Sequence, residues 1–253
     1  MADETKPAQS RKLYWGFIVL MLGLMVLFAT LGVWQLERLG EKEKLIADVA
    51  ARSGLAPTPL PPVAEWPAFD AEAWSYRPAV VSGTYLPEQT VLVFTSLADQ
   101  NGPYGGPGYW VMTPMALATG GTVFVNRGFV PQDSADAFAT GGAVEPGLIS
   151  LTGIARTSEE VGSFTPQPDL AKRIEWVRNI PRLVATAGGV PQPVAPVYID
   201  LPATEPGALP QGGETVVNFP NNHLGYAITW FGFALLVPFL LLFWALRQRR
   251  EGP

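Results

Sequence analysis

Apolar positions gather into two long uncharged runs near the ends of this chain, with shorter alternating segments between them. Leu13 to Leu36 and Leu224 to Leu246 contain no Asp, Glu, Lys or Arg. Each is close to the ~20 apolar residues a helix needs to cross a hydrocarbon core about 30 Å thick. After the first run, Gln35 to Arg52 keeps a helical period, with Leu36, Leu39, Leu45, Ile46 and Val49 on one face and charges on the other. Ala56 to Pro67 is Pro-rich and predicts an extended linker rather than a packed element.

Beyond Arg77 the pattern turns strand-like. Ala79 to Tyr85 and Val91 to Phe94 flank a turn at Pro87 to Gln89, and a Gly-rich loop, Asn101 to Gly108, leads into Tyr109 to Met115. Ala118 to Gly121 then turns the chain into Thr122 to Val130, the strongest hairpin signal. A polar loop from Gln132 to Gly147 precedes a strand at Leu148 to Ala155. Short strands near Ile174 to Val177 and Val197 to Leu201, with a brief helix around Pro181 to Ala187, complete the pattern. The fold class is a membrane protein, with two transmembrane helices flanking a mainly antiparallel β (α+β) extracytoplasmic domain that includes a small barrel among its possible forms. The expected division is a cytoplasmic tail 1–12, a span 13–36, a helical extension and Pro-rich linker 37–70, a β-rich domain 71–222, a span 223–246 and a cytoplasmic tail 247–253.

Charge orients these elements. Arg247, Arg249 and Arg250 follow the second run, while no Lys or Arg occurs from Leu183 up to Leu246, so the C-terminus belongs in the cytoplasm. Two spans then place the N-terminus inside too, in agreement with Lys6, Arg11 and Lys12, although Arg38, Lys42 and Lys44 flank the far end of the first span. The first run is longer than the ~7–15 residues of a secretory h-region and lacks a small-residue cleavage signature, so it is expected to remain. Trp15 and Trp244 then sit at the inner interface, and Trp34, Tyr226 and Trp230 toward the outer one. Gly16, Gly23 and Thr30 repeat every seven positions on the first helix, and Gly225, Thr229 and Gly232 share a face of the second. Small residues let backbones approach in lipid, so these two faces are predicted to meet, the alternative being that they serve partner helices.

Composition removes several functions. Arg38 to Asn222 carries 11 basic and 18 acidic residues, a formal charge of −7, which argues against a nucleic-acid partner. The chain has no Cys, so thiol redox chemistry, Cys-based copper handover and Cys-linked haem are excluded. Its one histidine, His223, cannot build a zinc or copper site of three or four ligands. No Gly-x-Ser-x-Gly elbow accompanies it, and no enzyme is expected from this set. One axial bond to haem iron is within its reach, with Tyr226 and Trp230 on the same helical face. Met21 and Met25 lie too deep in the first span to serve as a second ligand. The alternative is that His223 caps the helix beside Asn221 and Asn222 or hydrogen-bonds at the interface. Arg127, among Val123, Phe124, Val125 and Phe129, is expected to pair with a carboxylate or with carbonyls.

Four blocks in order are similar to one known family. They are Gly32 to Arg38 with Lys42 and Lys44, Gly108 to Pro114, Val125 to Pro131, and Asn221 to Phe231. Together with the terminal spans they resemble the surfeit locus protein 1 family, the Shy-type cytochrome oxidase assembly factors, from about Trp15 to Leu246. Phe129 departs from the family's usual Trp, and Ala56 to Ala73 and Gln132 to Gly147 show no family pattern. The short basic N-terminus, without an Arg/Ser-rich transit peptide, implies a bacterial member in the inner (plasma) membrane with its main domain periplasmic.

The resemblance implies a factor acting around insertion of haem a into the catalytic subunit of a haem-copper cytochrome c oxidase. His223 would be the iron ligand, with Trp34, Tyr226 and Trp230 shaping the pocket. The cofactor would come from a membrane enzyme, a haem a synthase, and pass on within the lipid bilayer. The alternative is a scaffold that holds an oxidase intermediate without touching iron, in which Tyr109, Asn126 and Arg127 carry the partner contacts.

Overall fold

The structure, a computed structural model, describes residues 9–215 and 221–250; Lys6, part of the predicted cytoplasmic tail, lies outside them. The chain divides into two compact units, one built from the terminal segments and the other from Val49–Val217.

In the first unit, α1 (Gln9–Ser53) and α4 (His223–Arg250) are long continuous helices. Trp15–Ser53 and His223–Gln248 are long and apolar enough to cross a membrane. Only 6 % and 17 % of their most apolar stretches are buried, so they are not core helices of a soluble fold. As predicted, α1 runs on past its uncharged stretch, and at 1.5 Å per residue its 45 residues extend about 68 Å, far beyond a ~30 Å hydrocarbon core. The two helices meet along a seam whose less exposed positions include Phe17, Met21, Leu24, Phe28, Leu31 and Gln35 on α1, with Ile18, Met25, Ala29 and Gly32 beside them. On α4 they include His223, Ala227, Trp230, Ala234, Val237, Leu241 and Trp244, with Phe231 and Ala245 beside them. Alternating steps of three and four are the heptad spacing of paired helices.

Contacts fix an antiparallel register. Phe17 meets Trp244 with ring centroids 4.7 Å apart, and Phe28 lies 5.8 Å from Trp230 and 5.5 Å from Phe233. The Phe231 ring fills the space left by the missing side chain of Gly32, where a Cβ would come within 2.7 Å of it. The small-residue faces predicted to meet do not. Gly16, Gly23, Gly225 and Gly232 have nothing within 4 Å of where a Cβ would stand. The Thr30 and Thr229 hydroxyls instead donate back to the Val26 and Gly225 carbonyls, both at 2.9 Å. Ring packing against Gly32 makes more dispersion contact than bare backbone could, and that decides the seam in a solvent as apolar as the side chains.

The second unit holds β1 (Thr58–Pro59), α2 (Ala71–Trp74), β2 (Pro78–Tyr85), β3 (Val91–Leu97), β4 (Gly106–Leu117) and β5 (Thr122–Pro131). They are followed by β6 (Ile149–Arg156), β7 (Ile174–Glu175), α3 (Ile180–Thr186) and β8 (Tyr198–Asp200). The sheet order is β1-β2-β6-β8-β5-β4-β3-β7, and a further β2–β4 pairing closes β2, β6, β8, β5 and β4 into a ring. This is the small barrel. β4 makes closure possible because β5 lies along one edge while the other is divided: Gly106 to Met112 face β3, and Met115 to Leu117 face β2. Pro114, which has no N–H to give, stands at that change of partner. Gly83 lets β2 cross β4, since a Cβ there would collide with the Ala116 carbonyl. The β1–β2, β3–β7 and β5–β8 pairings are parallel and the other five antiparallel, so the domain is mainly antiparallel.

The predicted Pro-rich linker is a correction. Thr58 and Pro59 pair with β2, and a 3-10 turn at Val63–Ala68 drives Trp66 into the core, with its Nε1–H donating to the Pro61 carbonyl at 2.9 Å. The indole packs over Gly121 at the β4–β5 turn and is 8 % exposed. Proline restricts the segment without keeping it off the surface of the barrel.

Two outcomes test this packing. Gly32→Ile should disrupt helix pairing at a cost of about 1–3 kcal/mol while Gly23→Ile leaves it intact; bismaleimide cross-linking of Phe17→Cys with Trp244→Cys, in a chain with no native Cys, reads the difference. Glu175 is fully buried and accepts from Arg182 Nε at 3.0 Å and Nη2 at 2.7 Å. Arg182→Ala should therefore destabilise the domain by about 3–5 kcal/mol in denaturant unfolding, because the carboxylate is left buried and unpaired.

Candidate functional site

His223 is the first residue of α4, and the turn it opens begins with the Tyr226 N–H bonding the Asn222 carbonyl at 3.3 Å. Its imidazole Nδ1 lies 2.8 Å from the Gln35 Oε1. Gln35 occupies the seam position facing it and is only 8 % exposed, so the carboxamide is desolvated and the imidazole is its partner. His223 also lines a cleft of about 250 Å³ with Arg38, Glu41, Lys42 and Leu45, the next turns of α1.

Arg38 connects this cleft to Trp34. Its guanidinium stands 5.8 Å from the centre of the Trp34 ring and pairs with Glu41 at 2.7 Å, both partners of the ion pair being more than half exposed. Trp230 lies two turns below His223, packed on Phe28 in the seam, while Tyr226 is 58 % exposed. Trp34 is also exposed, one position from Gln35 but outside the seam. The structure therefore places His223 in the cleft, Trp34 beside it through Arg38, Trp230 in the helix contact and Tyr226 on an open face.

A donor set of this kind suits a metal that brings most of its own ligands. Among the described residues no group of three His, Cys, Asp or Glu side chains could hold a bare ion. Haem iron needs only one or two ligands from protein, and here His223 would be the residue to hold it, with Arg38 and Lys42 lining the same cleft. The cleft is smaller than the ~300–1,000 Å³ of enclosing ligand pockets, so it could take the edge of a macrocycle and not the whole.

The other predicted cluster lies in the barrel and is turned inward. Asn126 Nδ2 donates to Asp200 Oδ1 at 2.8 Å, and Asn126 Oδ1 accepts from the Gly128 N–H at 3.1 Å. Gly128 has φ +127°, and a Cβ there would strike the Gln211 carbonyl, so only glycine fits. Arg127 donates to the Gly141 carbonyl and, at 2.6 Å, to the Ala143 carbonyl, and it lies over the Tyr85 ring at 5.5 Å. Carbonyls are thus its partners, one of the two kinds expected. Burial lowers the Arg127 guanidinium against the opposing pull of Tyr85. Burial also pushes the Tyr85 phenol up to about 12 in spite of Arg127. Tyr109 on β4 meets Phe94 edge-on at 5.7 Å, and Phe94 meets the part-exposed Trp176 at 5.2 Å.

Sequence reasoning did not single out two polar groups. Gln35 gave only a weak signal, a carboxamide at the end of an uncharged run. A second cluster centres on Arg178, which pairs with Glu159 and lies over Trp110 at 5.1 Å and Tyr198 at 5.6 Å. Burial alone would lower this guanidinium, but Tyr198, Asp200 and Glu159 raise it. Burial would raise the Glu159 carboxyl, yet Arg178 brings it below the usual carboxylate range. These residues come from distant strands and loops, which no local spacing reveals.

Comparison with known proteins covers both clusters. The SURF1 family model matches residues 22–235, a stretch holding Gln35, Arg38, Asn126, Arg127 and His223. A SURF1-like protein of Monosiga brevicollis is 31 % identical over 264 residues, spanning 100 % of this chain and 95 % of that protein. Surfeit locus protein 1 of Rattus norvegicus is 30 % identical over 222 residues, 83 % of this chain and 69 % of that one. The Homo sapiens protein of the same name is 29 % identical over 252 residues, 94 % and 79 % of the two chains. With two apolar helices around a β domain and a match across most of its length, the chain belongs to the SURF1 family.

Proposed function

We propose that this chain is an assembly factor for a haem-copper cytochrome c oxidase, binding haem a through His223 and passing it to the catalytic subunit. The observation that carries this reading is the placement of the sole imidazole in a cleft with Arg38 and Lys42, within a member of the SURF1 family. Haem a, when bound, supplies an iron centre whose oxygen chemistry belongs to the finished oxidase. The work of this chain is to hold and release.

Each residue has a part in that work. His223 would hold the haem iron. Arg38 and Lys42 attract the propionate carboxylates, and Arg38 can exchange partners cheaply, since an exposed ion pair such as that with Glu41 contributes only ~0–1 kcal/mol. Trp34 offers an apolar face beside them, while Tyr226 and Trp230 border the same end of α4. Both termini are cytoplasmic and Val49–Val217 lies across the membrane that houses the oxidase, in a bacterium the plasma membrane. A haem a synthase hands over the cofactor, and lipid surrounds the helices throughout. In this reading the protein is a carrier rather than an enzyme.

Purification of the full chain from cells that make haem a should yield protein with a haem a Soret band. His223→Ala should shift that band and reduce bound haem by roughly tenfold or more. An unaltered band and haem content in the variant would replace this reading with a scaffold that holds an oxidase intermediate without touching iron.

A further inference from the structure

We propose that Gln35 is the positioning residue for His223: its carboxamide oxygen takes the Nδ1 hydrogen and fixes the tautomer that leaves Nε2 bare for iron. The inference deepens the haem-binding reading and rests on it.

A neutral imidazole carries one N–H and one lone pair, and its partner decides which nitrogen has which. Gln35 Oε1 can only accept, so at 2.8 Å the hydrogen belongs on Nδ1. Gln35 is 8 % exposed, and a desolvated acceptor that loses its donor is costly, so the pairing holds the ring as well as the proton. With Nδ1 engaged by Gln35, Nε2 is the ring nitrogen that remains to serve the cleft that His223 shares with Arg38, Glu41, Lys42 and Leu45. Acceptors behind a ligating histidine orient the ring and raise its basicity. A neutral carboxamide does this more weakly than a carboxylate, a choice suited to a ligand that must later let go.

The seam supports the same assignment. Gln35 and His223 face each other near the end of a contact otherwise made of rings, Gly32 and aliphatic side chains. A polar pair at one layer of a helix seam specifies register. Register here places Gln35 and His223 together, so alignment of the helices and orientation of the ligand are one event.

The test uses the full chain in detergent or nanodiscs. Because His223 is the sole histidine, ¹⁵N-histidine labelling gives one pair of ring signals. Before haem is added, wild type should carry its hydrogen on Nδ1, and Gln35→Leu should lose that preference. In haem a titrations Gln35→Leu should bind about 10–100-fold more weakly, with a lower iron–imidazole stretching frequency in the ferrous state. Gln35→Glu should keep binding and raise that frequency, a change that mere packing at this position would not produce. Leucine suits the apolar seam, and thermal unfolding checks that the variant is folded.

Hydrogen found on Nε2 in wild type would overturn the inference. So would a Gln35→Leu protein with wild-type affinity and frequency while His223→Ala has lost haem; that pattern leaves the haem reading standing. A His223→Ala variant that binds as tightly as wild type overturns both.

Discussion

Lipid gives α1 and α4 no hydrophobic reason to associate, because the hydrocarbon around them is as apolar as their side chains. Their contact has to come from close packing and from polar groups that find each other. Both are present along one seam: Phe17 on Trp244, Phe28 on Trp230 and Phe233, Phe231 over Gly32, and the Gln35–His223 hydrogen bond. Slipping one helix by a turn, about 5.4 Å, would part the carboxamide from the imidazole and unstack the rings together. The site is therefore a product of register, and register is a product of the site's own polar pair.

The barrel solves a different problem with similar economy. A ring of five strands has to close, and β4 closes it by serving β5 along one edge and β3 and β2 in turn along the other. Charged side chains inside this unit are committed to internal work. Asp200 receives Asn126, Arg156 and Thr215, which tie β8 to β5, β6 and the segment that follows Gln211. Arg127 holds the loop carrying Gly141 and Ala143. The polar ends of Asn126 and Arg127 are thus engaged within the domain, where they fix the shape of its surface.

Much of this was legible in the sequence, and the limits have physical causes. The spans, the helical extension beyond Gln35, the hairpin at Ala118 to Gly121 and most strands announce themselves through local periodicity and turn residues. Closure was open, because it depends on β2 meeting β4 across more than thirty residues and on the parallel β5–β8 pairing across seventy-four. The Pro-rich stretch misled because a single indole, Trp66, makes it packed, and one buried ring leaves no period. The small-residue faces misled for a related reason. Gly16, Gly23 and Thr30 form a regular pattern on the first helix, but Gly32 is the glycine there with a ring aimed at it, and only three-dimensional register distinguishes them. Gln35 was invisible as a site residue until its partner, 188 residues away in sequence, stood beside it.

On the proposed reading the chain would have to bind haem without keeping it, and the arrangement around His223 is weak in each of its parts. His223 is a single imidazole, the Gln35 acceptor beside it is neutral, the nearby ion pair is exposed, and the cleft is too small to enclose a macrocycle. A resident cofactor would call for the opposite: two strong ligands, buried charges and an enclosing pocket. Stronger pairing lies elsewhere: within the barrel unit, Glu175 is fully buried against Arg182, and Arg178 holds the partly exposed Glu159. On that reading, transfer would need only the exchange of one bond and a few exposed charges, and the seam that aligns Gln35 with His223 would stay packed.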